Sequence, residues 1–269
     1  MQNFETENFE TENFETENFE TENFENHDPV LLRVHALISG SRVNGPGNRM
    51  VIWTQGCGKG CRGCFNPETW ARDYGKAWEP TELARHIFGI IDAMGLEGLT
   101  LTGGDPLEQP QELLAFFEAL ESYDPGLKML PRGILMFTGY TMSELENLPG
   151  AYGAAARACV GHCDVIVDGR YEESLRIRDA LAGSANQDFH FSSAPGRGLE
   201  RIAESEVKTD QAVEVHVGET NFRHEGLIRV TGFPEHLRFR RRLRELGLVN
   251  AYEKSVNVDE KSVNVDEFL

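Results

Sequence analysis

Three of the five cysteines, Cys57, Cys61 and Cys64, lie within eight residues of one another in a glycine-rich stretch. The N-terminus lacks a basic start followed by an apolar run, so we expect no secretory signal and a reducing cytoplasmic environment. Five cysteines are then not expected to form a disulfide framework, and clustered thiolates usually bind metal. The glycines permit a tight loop on which three sulfurs can converge.

The number of clustered cysteines indicates which kind of metal site they can form. A closed structural zinc site needs four ligands, usually from paired Cys-x2-Cys units. Three cysteines instead suit an iron–sulfur cube with one iron left open, by extension of the four-cysteine rule. A structural zinc ion, or thiols without a ligand, remains the alternative from the residues alone.

A second thiol pair, Cys159 and Cys163, has His162 between its members. Two thiols and one imidazole make an incomplete metal site. We therefore expect these cysteines to be buried or to bind no ligand, with a contribution to a metal site as the alternative.

Composition excludes several classes of protein. Of 269 residues, 40% are hydrophobic and 26% are charged, as in an ordinary soluble domain, and no run of about 18 apolar residues could span a membrane. The net charge of −18 is concentrated in residues 1–28, which hold nine Glu and one Asp but no Lys or Arg. The remainder is mildly acidic and lacks the basic field that nucleic-acid binding requires.

Both ends of the chain are repetitive. Asn-Phe-Glu-Thr-Glu occurs four times in residues 3–22, and Glu-Lys-Ser-Val-Asn-Val-Asp occurs twice in residues 253–266. We predict disordered tails at 1–28 and 251–269, with a docking role as the alternative. Between them we expect a core at 29–200 and a C-terminal extension at 201–250.

Apolar patterning in the core alternates between strands and helices. Strands are predicted at 50–54, 99–102, 134–138 and 164–168, and helices at 79–94, after Pro106 and at 143–148. This order indicates an α/β fold of right-handed βαβ units around a parallel sheet or partial barrel.

The extension has a different pattern. A strand pair is predicted at 213–217 and 227–231, followed by a helix at 234–246. That helix carries the arginine run Arg238 to Arg244, which is either a solvated face or a docking surface for an acidic protein.

Chemistry in such folds gathers at the carboxyl ends of strands. Three polar or glycine-rich segments occupy such ends, at 103–106, 138–140 and 168–170. We expect these three segments to surround one opening at that edge of the sheet, which we call the mouth. Gly103-Gly104-Asp105-Pro106 is alternatively a sequence that commonly forms a simple turn.

Cys57-x3-Cys61-x2-Cys64 is similar to the signature of radical S-adenosylmethionine enzymes. The surrounding motifs, in order, resemble the branch that activates anaerobic ribonucleoside-triphosphate reductases, over residues 34–190. These motifs are the segment 42–49, Gly63-Cys64-Phe65-Asn66, Trp70, 103–107, 138–140, 164–169 and 183–187.

The resemblance implies a 4Fe–4S cluster bound by Cys57, Cys61 and Cys64, whose fourth iron holds S-adenosylmethionine. It also implies a partial barrel of the radical S-adenosylmethionine type. Gly103, Gly104 and Asp105 would then receive the methionine ammonium group, and a carboxylate facing an ammonium is favourable electrostatics.

Further cofactor contacts are implied at Phe65, Asn66, Thr138 and Gly139. Gly63 stands where many relatives have an aromatic residue before the third cysteine, so Phe65 is the candidate for packing on adenine, with a plain core phenylalanine as the alternative. Thr138 and Gly139 would border the ribose or methionine.

The implied function is the formation of a glycyl radical on a partner anaerobic ribonucleotide reductase, with electrons from a donor such as flavodoxin or ferredoxin. The unmatched extension keeps a second hypothesis open, a stand-alone radical enzyme that modifies a small molecule or peptide. A third is a non-catalytic, zinc-stabilised binding module.

Overall fold

The computed structural model describes residues 30–177, 181–207, 213–217 and 228–232. The strands are β1 (Leu32–Ser41), β2 (Arg49–Thr54), β3 (Lys76–Trp78), β4 (Gly98–Gly103), β5 (Ile134–Phe137), β6 (Val165–Asp168), β7 (Asp188–Phe191), β8 (Val213–Val217) and β9 (Ile228–Gly232). The helices are α1 (Pro80–Met94), α2 (Pro110–Tyr123), α3 (Met142–Asn147), α4 (Gly150–His162) and α5 (Glu204–Val207).

Seven strands form one mixed sheet in the order β3-β1-β2-β4-β5-β6-β7. The four consecutive strands β2, β4, β5 and β6 are parallel, and β1, β3 and β7 pair antiparallel at the flanks. The predicted α/β class and the four predicted strands are confirmed. The predicted parallel sheet is present in these four strands, and strands unassigned from the sequence add antiparallel edges at its flanks.

Helix α1 begins and ends where the sequence predicts. The Glu79 side chain accepts a hydrogen bond from the Glu82 N–H at 2.8 Å, and Pro80 occupies the first turn, where a missing N–H costs nothing. Gly95 ends the helix in the left-handed conformation, with φ of +60°.

The three long helices α1, α2 and α4 pack along one face of the sheet. Side chains from the parallel strands, such as Ile52, Leu101 and Met136, meet helix residues such as Ile87 and Phe117 in one buried core. This burial holds the parallel strands in register, so that their carboxyl ends lie at one edge of the sheet.

An irregularity in β1 changes the face that this strand presents. Val34 pairs with Thr54 but Ala36 pairs with Trp53, so His35 is an extra residue. Val34 therefore lies in the helix-side core, whereas Ala36 joins a second buried cluster. The His35 ring stacks on Trp53, with the ring centroids 6.3 Å apart.

The segment that links β1 to β2 is held by a fully buried arginine. Arg49 donates five hydrogen bonds, to Thr100 Oγ1 and to the carbonyl oxygens of Pro46, Leu99, Arg132 and Gly133, at 2.7–3.0 Å. Burial lowers the pKa of Arg49 to about 9. The motif 42–49 therefore has a structural role at the ends of the strands opposite the cysteine loop.

The predicted C-terminal strand pair is present as β8 and β9. Glu214 in β8 accepts hydrogen bonds from Ser41 Oγ at 2.7 Å and from the Arg42 N–H at 2.8 Å, which anchors the pair beside the end of β1. The terminal repeats, the helix predicted at 234–246 and its arginine run lie outside the described residues. Among the described helices, none is long and apolar enough to cross a membrane.

Candidate functional site

The three clustered cysteines lie on a loop that leaves the carboxyl end of β2. All three are free and partly buried. The Cys57 N–H donates to the Trp70 carbonyl oxygen at 3.1 Å, and the Cys64 N–H donates to the Cys61 carbonyl oxygen at 3.1 Å. These bonds fold the loop back on itself, so the sulfurs are presented by a fixed backbone.

Two glycines make this loop possible, as the sequence predicts. Gly63 has a φ of +75°, which an L side chain rarely adopts. Gly104, at the end of β4, allows a close approach: a Cβ there would lie 2.3 Å from the Gly56 carbonyl oxygen. The cysteine loop and the end of β4 are therefore in direct backbone contact.

Hydrogen-bond donors surround two of the sulfurs. The Lys59 N–H donates to the Cys57 sulfur, and the Asn66 N–H donates to Cys64 Sγ at 3.4 Å. Burial raises the pKa of Cys57 to about 11 and raises the pKa of Cys64 in the same direction. In a metal site these donors would stabilise thiolate ligands that burial alone disfavours.

Asp105 joins two of the three segments predicted to form the mouth, its own segment 103–106 and the segment 138–140. Its carboxylate is buried and accepts hydrogen bonds from the Leu107 N–H at 3.1 Å, Thr138 Oγ1 at 2.9 Å and the Gly139 N–H at 3.0 Å. Burial raises the pKa of Asp105, although these bonds and Lys59 oppose the shift. The structure thus brings Asp105, Thr138 and Gly139 together behind the cysteine loop.

A buried lysine at this point was not predicted from the sequence. Lys59 Nζ lies 3.1 Å from Glu108 Oε1, 3.8 Å from Asp105 Oδ2 and 3.1 Å from the centroid of the Tyr140 ring. Burial by itself lowers the pKa of Lys59, and the nearby Asp105, Tyr140 and Glu108 together outweigh it and raise the pKa. A lysine between glycines gives no sequence signal for such burial.

Phe65 lies apart from the main core, on the other side of Cys64. Its ring centroid is 5.1 Å from that of Tyr171, and the Arg176 guanidinium carbon lies 5.3 Å from it. A Cβ on Gly183 would lie 3.4 Å from Phe65, so this glycine leaves room at the ring edge. Phe65 thus lies in a small partly buried group with Tyr171 and Arg176, outside the described core clusters.

Asp168 and Arg170 stabilise a helix start. Asp168 accepts a hydrogen bond from the Met142 N–H at 2.8 Å, and Arg170 pairs with Glu144 at 2.9 Å, both on α3. They position α3 at the strand ends, which matches the cap role that a strand-terminal aspartate often has.

The second thiol pair is buried in the helix-side core. Cys159 donates to the Pro110 carbonyl oxygen at 3.2 Å, and Cys163 donates to the Cys159 carbonyl oxygen at 3.4 Å. His162 stacks on Phe117, with ring centroids 5.1 Å apart. The position of both thiols in the core agrees with the expectation that these cysteines are buried and bind no ligand.

The three thiols of the loop form the donor set for the implied cluster. Among the described residues, no set of three His, Cys, Asp or Glu side chains comes close enough to hold a single metal ion. An iron–sulfur cube places each cysteine on a different iron and therefore needs sulfurs that are spread around it. Three partly buried thiols on one loop, with amide donors at two of them, fit the ligand set of such a cube.

Comparisons with known proteins agree with this geometry. The family described as "4Fe-4S single cluster domain" matches residues 43–190. The anaerobic ribonucleoside-triphosphate reductase-activating protein of Enterobacteria phage T4 is 33% identical over 153 residues, which cover 54% of this chain and 85% of that protein. The protein of the same name from Salmonella typhi is 31% identical over 164 residues, which cover 59% of this chain and 98% of that protein.

Among solved structures, QueE from Escherichia coli aligns with a TM-score of 0.31 and 17% identity, over 41% of this chain and 54% of that one. A score this low carries no argument about the fold. The sequence matches alone suffice to place the protein: the chain belongs to the 4Fe-4S single cluster domain family, among the anaerobic ribonucleoside-triphosphate reductase-activating proteins.

Proposed function

We propose that this protein is a radical S-adenosylmethionine activating enzyme that forms a glycyl radical on a partner anaerobic ribonucleotide reductase. The observation that carries the proposal is the loop at the carboxyl end of β2, which presents Cys57, Cys61 and Cys64 beside the ends of β4 and β5. Family membership supports it, since the relatives are named for activating that reductase.

When bound, the cluster and S-adenosylmethionine supply a 5′-deoxyadenosyl radical that can remove a hydrogen atom from a glycine of the partner. The protein's part is to hold these groups and to exclude competing reactions. Cys57, Cys61 and Cys64 would hold the cluster through three of its irons, which would leave one iron open to the cofactor. The amide donors at Cys57 and Cys64 would favour the thiolate form of these ligands, against the burial that raises the pKa of both thiols.

The cofactor lies across the neighbouring strand ends in this proposal. The backbone of Gly103 and Gly104 receives the methionine ammonium group. Asp105 would favour the bound ammonium group by its negative charge, while its oxygens hold the backbone of Gly139 and the hydroxyl of Thr138. Asp105 thereby fixes the distance between the ends of β4 and β5.

Phe65 packs on the adenine ring, with Tyr171 supporting it from behind. Asn66 contributes through its backbone: its N–H bonds to Cys64, and its carbonyl oxygen accepts from Thr69 Oγ1 at 2.7 Å. The step from Cys64 to Asn66 therefore couples a cluster ligand to the cofactor surface.

The wider architecture in this proposal is a partial barrel of the radical S-adenosylmethionine type, with a core at 29–200 and a C-terminal extension at 201–250. The parallel run of β2, β4, β5 and β6 supports it. The proposed setting is the cytoplasm, where a one-electron donor such as flavodoxin or ferredoxin reduces the cluster. Nucleic acid and membrane have no proposed role.

Electron paramagnetic resonance of anaerobically reconstituted, dithionite-reduced protein tests the proposal. We expect a cubane signal that changes shape when S-adenosylmethionine is added, and a glycyl radical signal when an anaerobic ribonucleotide reductase is also present. Cys159→Ala is the matched control, since it removes a cysteine away from the loop. A fully metal-loaded chain with zinc and no cubane signal would refute the cluster and favour a zinc-stabilised binding module.

The extension supports a second candidate, a stand-alone radical enzyme that modifies a small molecule or peptide. Segments outside residues 43–190 contact the core, through Glu214 at Ser41 and through Glu206, which pairs with Arg132 at 2.7 Å. If reductive cleavage proceeds but no reductase acquires a glycyl radical, this candidate replaces the first.

A further inference from the structure

Lys59 stands between the first two cysteines of the loop, yet its side chain points into the protein. The flanking residues Gly58 and Gly60 are exposed, whereas the Lys59 side chain is only 8% exposed. Burial of an ammonium group is costly unless anions or dipoles compensate for the lost water. The compensation here comes entirely from other elements of the fold.

The partners of Lys59 lie at two strand ends. Glu108 and Asp105 follow β4, at 3.1 and 3.8 Å from Nζ, and Tyr140 follows β5, with its ring centroid 3.1 Å from Nζ. The aliphatic stem packs on Gly139, where a Cβ would lie 3.0 Å from Lys59 Cγ. One side chain thus connects the cysteine loop to the ends of both strands.

The charges in this group alternate from the surface inwards. Arg72, which is largely exposed, pairs with Glu108; Glu108 pairs with Lys59; and Lys59 faces the buried Asp105. Two cations therefore balance two carboxylates. Without Lys59, the carboxylates would carry an excess negative charge beside a loop that itself presents thiolates.

We propose that Lys59 is a positioning residue for the iron–sulfur cluster, which fastens the cysteine loop to the ends of β4 and β5 and raises the reduction potential of the cluster. The inference rests on the proposed cluster at Cys57, Cys61 and Cys64. A nearby positive charge stabilises the reduced, more negative state, and net charge near a cluster is one of the factors that set its potential.

Lys59→Met tests both parts, because methionine keeps the length of the stem but removes the charge. We expect the midpoint potential, followed by paramagnetic resonance during a redox titration, to become more negative. A tenfold lower ratio of reduced to oxidised cluster at a fixed potential corresponds to 59 mV for one electron. Loss of iron to a chelator under anaerobic conditions should become about tenfold faster. Lys59→Arg should recover most of both properties.

Two further variants keep the test informative. Lys76→Met is the matched control, since Lys76 also lies over an aromatic ring, that of Trp78 at 3.3 Å, but on β3. It should leave the potential and iron loss unchanged. Glu108→Gln removes a negative charge from the same group and should shift the potential in the positive direction, so the charge effect is measurable even if Lys59→Met folds poorly.

The outcomes separate this inference from the proposed function. A wild-type chain that takes up no cluster would overturn both. A wild-type cluster whose potential and chelation rate are unchanged in Lys59→Met, with Glu108→Gln also unchanged, would overturn the role of Lys59 alone. Tighter binding of S-adenosylmethionine by Lys59→Met would also overturn it, because Lys59 would then be an internal competitor for the cofactor site.

Discussion

The chain places cysteines in two settings that look alike in the sequence but differ in burial and in the hydrogen bonds of the sulfurs. Cys57, Cys61 and Cys64 are partly buried on a loop at a strand end. Cys159 and Cys163 are buried at the end of α4, within the helix-side core. Both sets have short spacings and intervening glycine, so spacing alone does not separate a ligand set from two core residues.

The environment of the sulfurs does separate them. Backbone N–H groups donate to the sulfurs of Cys57 and Cys64, which favours thiolates. In the second pair the thiols are themselves donors, to backbone carbonyl oxygens. Burial raises the pKa of Cys159 to about 12 and the pKa of Cys163 well above its ordinary value. The second pair therefore acts as small apolar residues.

The largest expected difference between the two sets is in cluster binding. Cys61→Ala should abolish the 4Fe–4S cluster and with it the reductive cleavage of S-adenosylmethionine, because the remaining two thiols cannot hold the cube. Cys159→Ala should keep both. Iron and sulfide content after anaerobic reconstitution, with the cubane resonance, measures this contrast. A full cluster in Cys61→Ala would contradict the assignment of Cys61 as a cluster ligand.

The contiguous part of the site could be predicted from the sequence, because Cys57 to Asn66 form one short motif whose spacing reflects a local loop. The strand ends that carry Asp105 and Thr138 were also predictable, since apolar runs end there. The burial of Lys59 was not, because its partner Glu108 lies 49 residues away and meets it only through the packing of β2 against β4.

The flanks of the sheet could not be predicted for a related reason. β1 buries every second residue from Leu32 to Ile38, but the extra residue at His35 puts Ala36 on the opposite face of the sheet from Val34, which the alternation in the sequence does not reveal. Helix α4 is rich in alanine and glycine and has only a weak apolar stripe. Tertiary packing decides both elements.

A second contrast concerns thiol reactivity in the apo-protein. Cys159 and Cys163 are buried in the core, which keeps the reagent out, whereas the loop cysteines are only partly buried; burial also raises the pKa of Cys159 to about 12, compared with about 11 for Cys57. Brief treatment with iodoacetamide should therefore modify residues of the loop first and leave Cys159 and Cys163 unmodified. Peptide mass spectrometry reads the order. Early labelling of Cys163 would show that its packing opens.

A third contrast is in the stability of the apo-protein, where the core cysteines should matter more than the loop cysteines. Cys163→Ser should lower the free energy of unfolding by roughly 1–3 kcal/mol, since it puts a hydroxyl group into an apolar site, and should leave cluster content unchanged. Cys64→Ser should lose the cluster while the apo-protein keeps nearly its full stability. Urea unfolding of the apo-proteins, followed by circular dichroism, compares them. Equal losses of stability would contradict the division into ligand and core residues.

The smallest expected effects come from one glycine in each setting. Gly60 has a φ of +60° and open space around it, so Gly60→Ala meets backbone strain alone and should destabilise the apo-protein by about 1 kcal/mol. Gly161 lies in α4 with no positive φ and also has open space, so Gly161→Ala should stabilise by roughly 0.5 kcal/mol through helix propensity. Adding the same methyl group should thus change the free energy of unfolding in opposite directions at the two positions. Thermal unfolding of the two variants measures both changes. Two shifts of the same sign would show that backbone conformation is not what distinguishes the cysteine loop from the helix end.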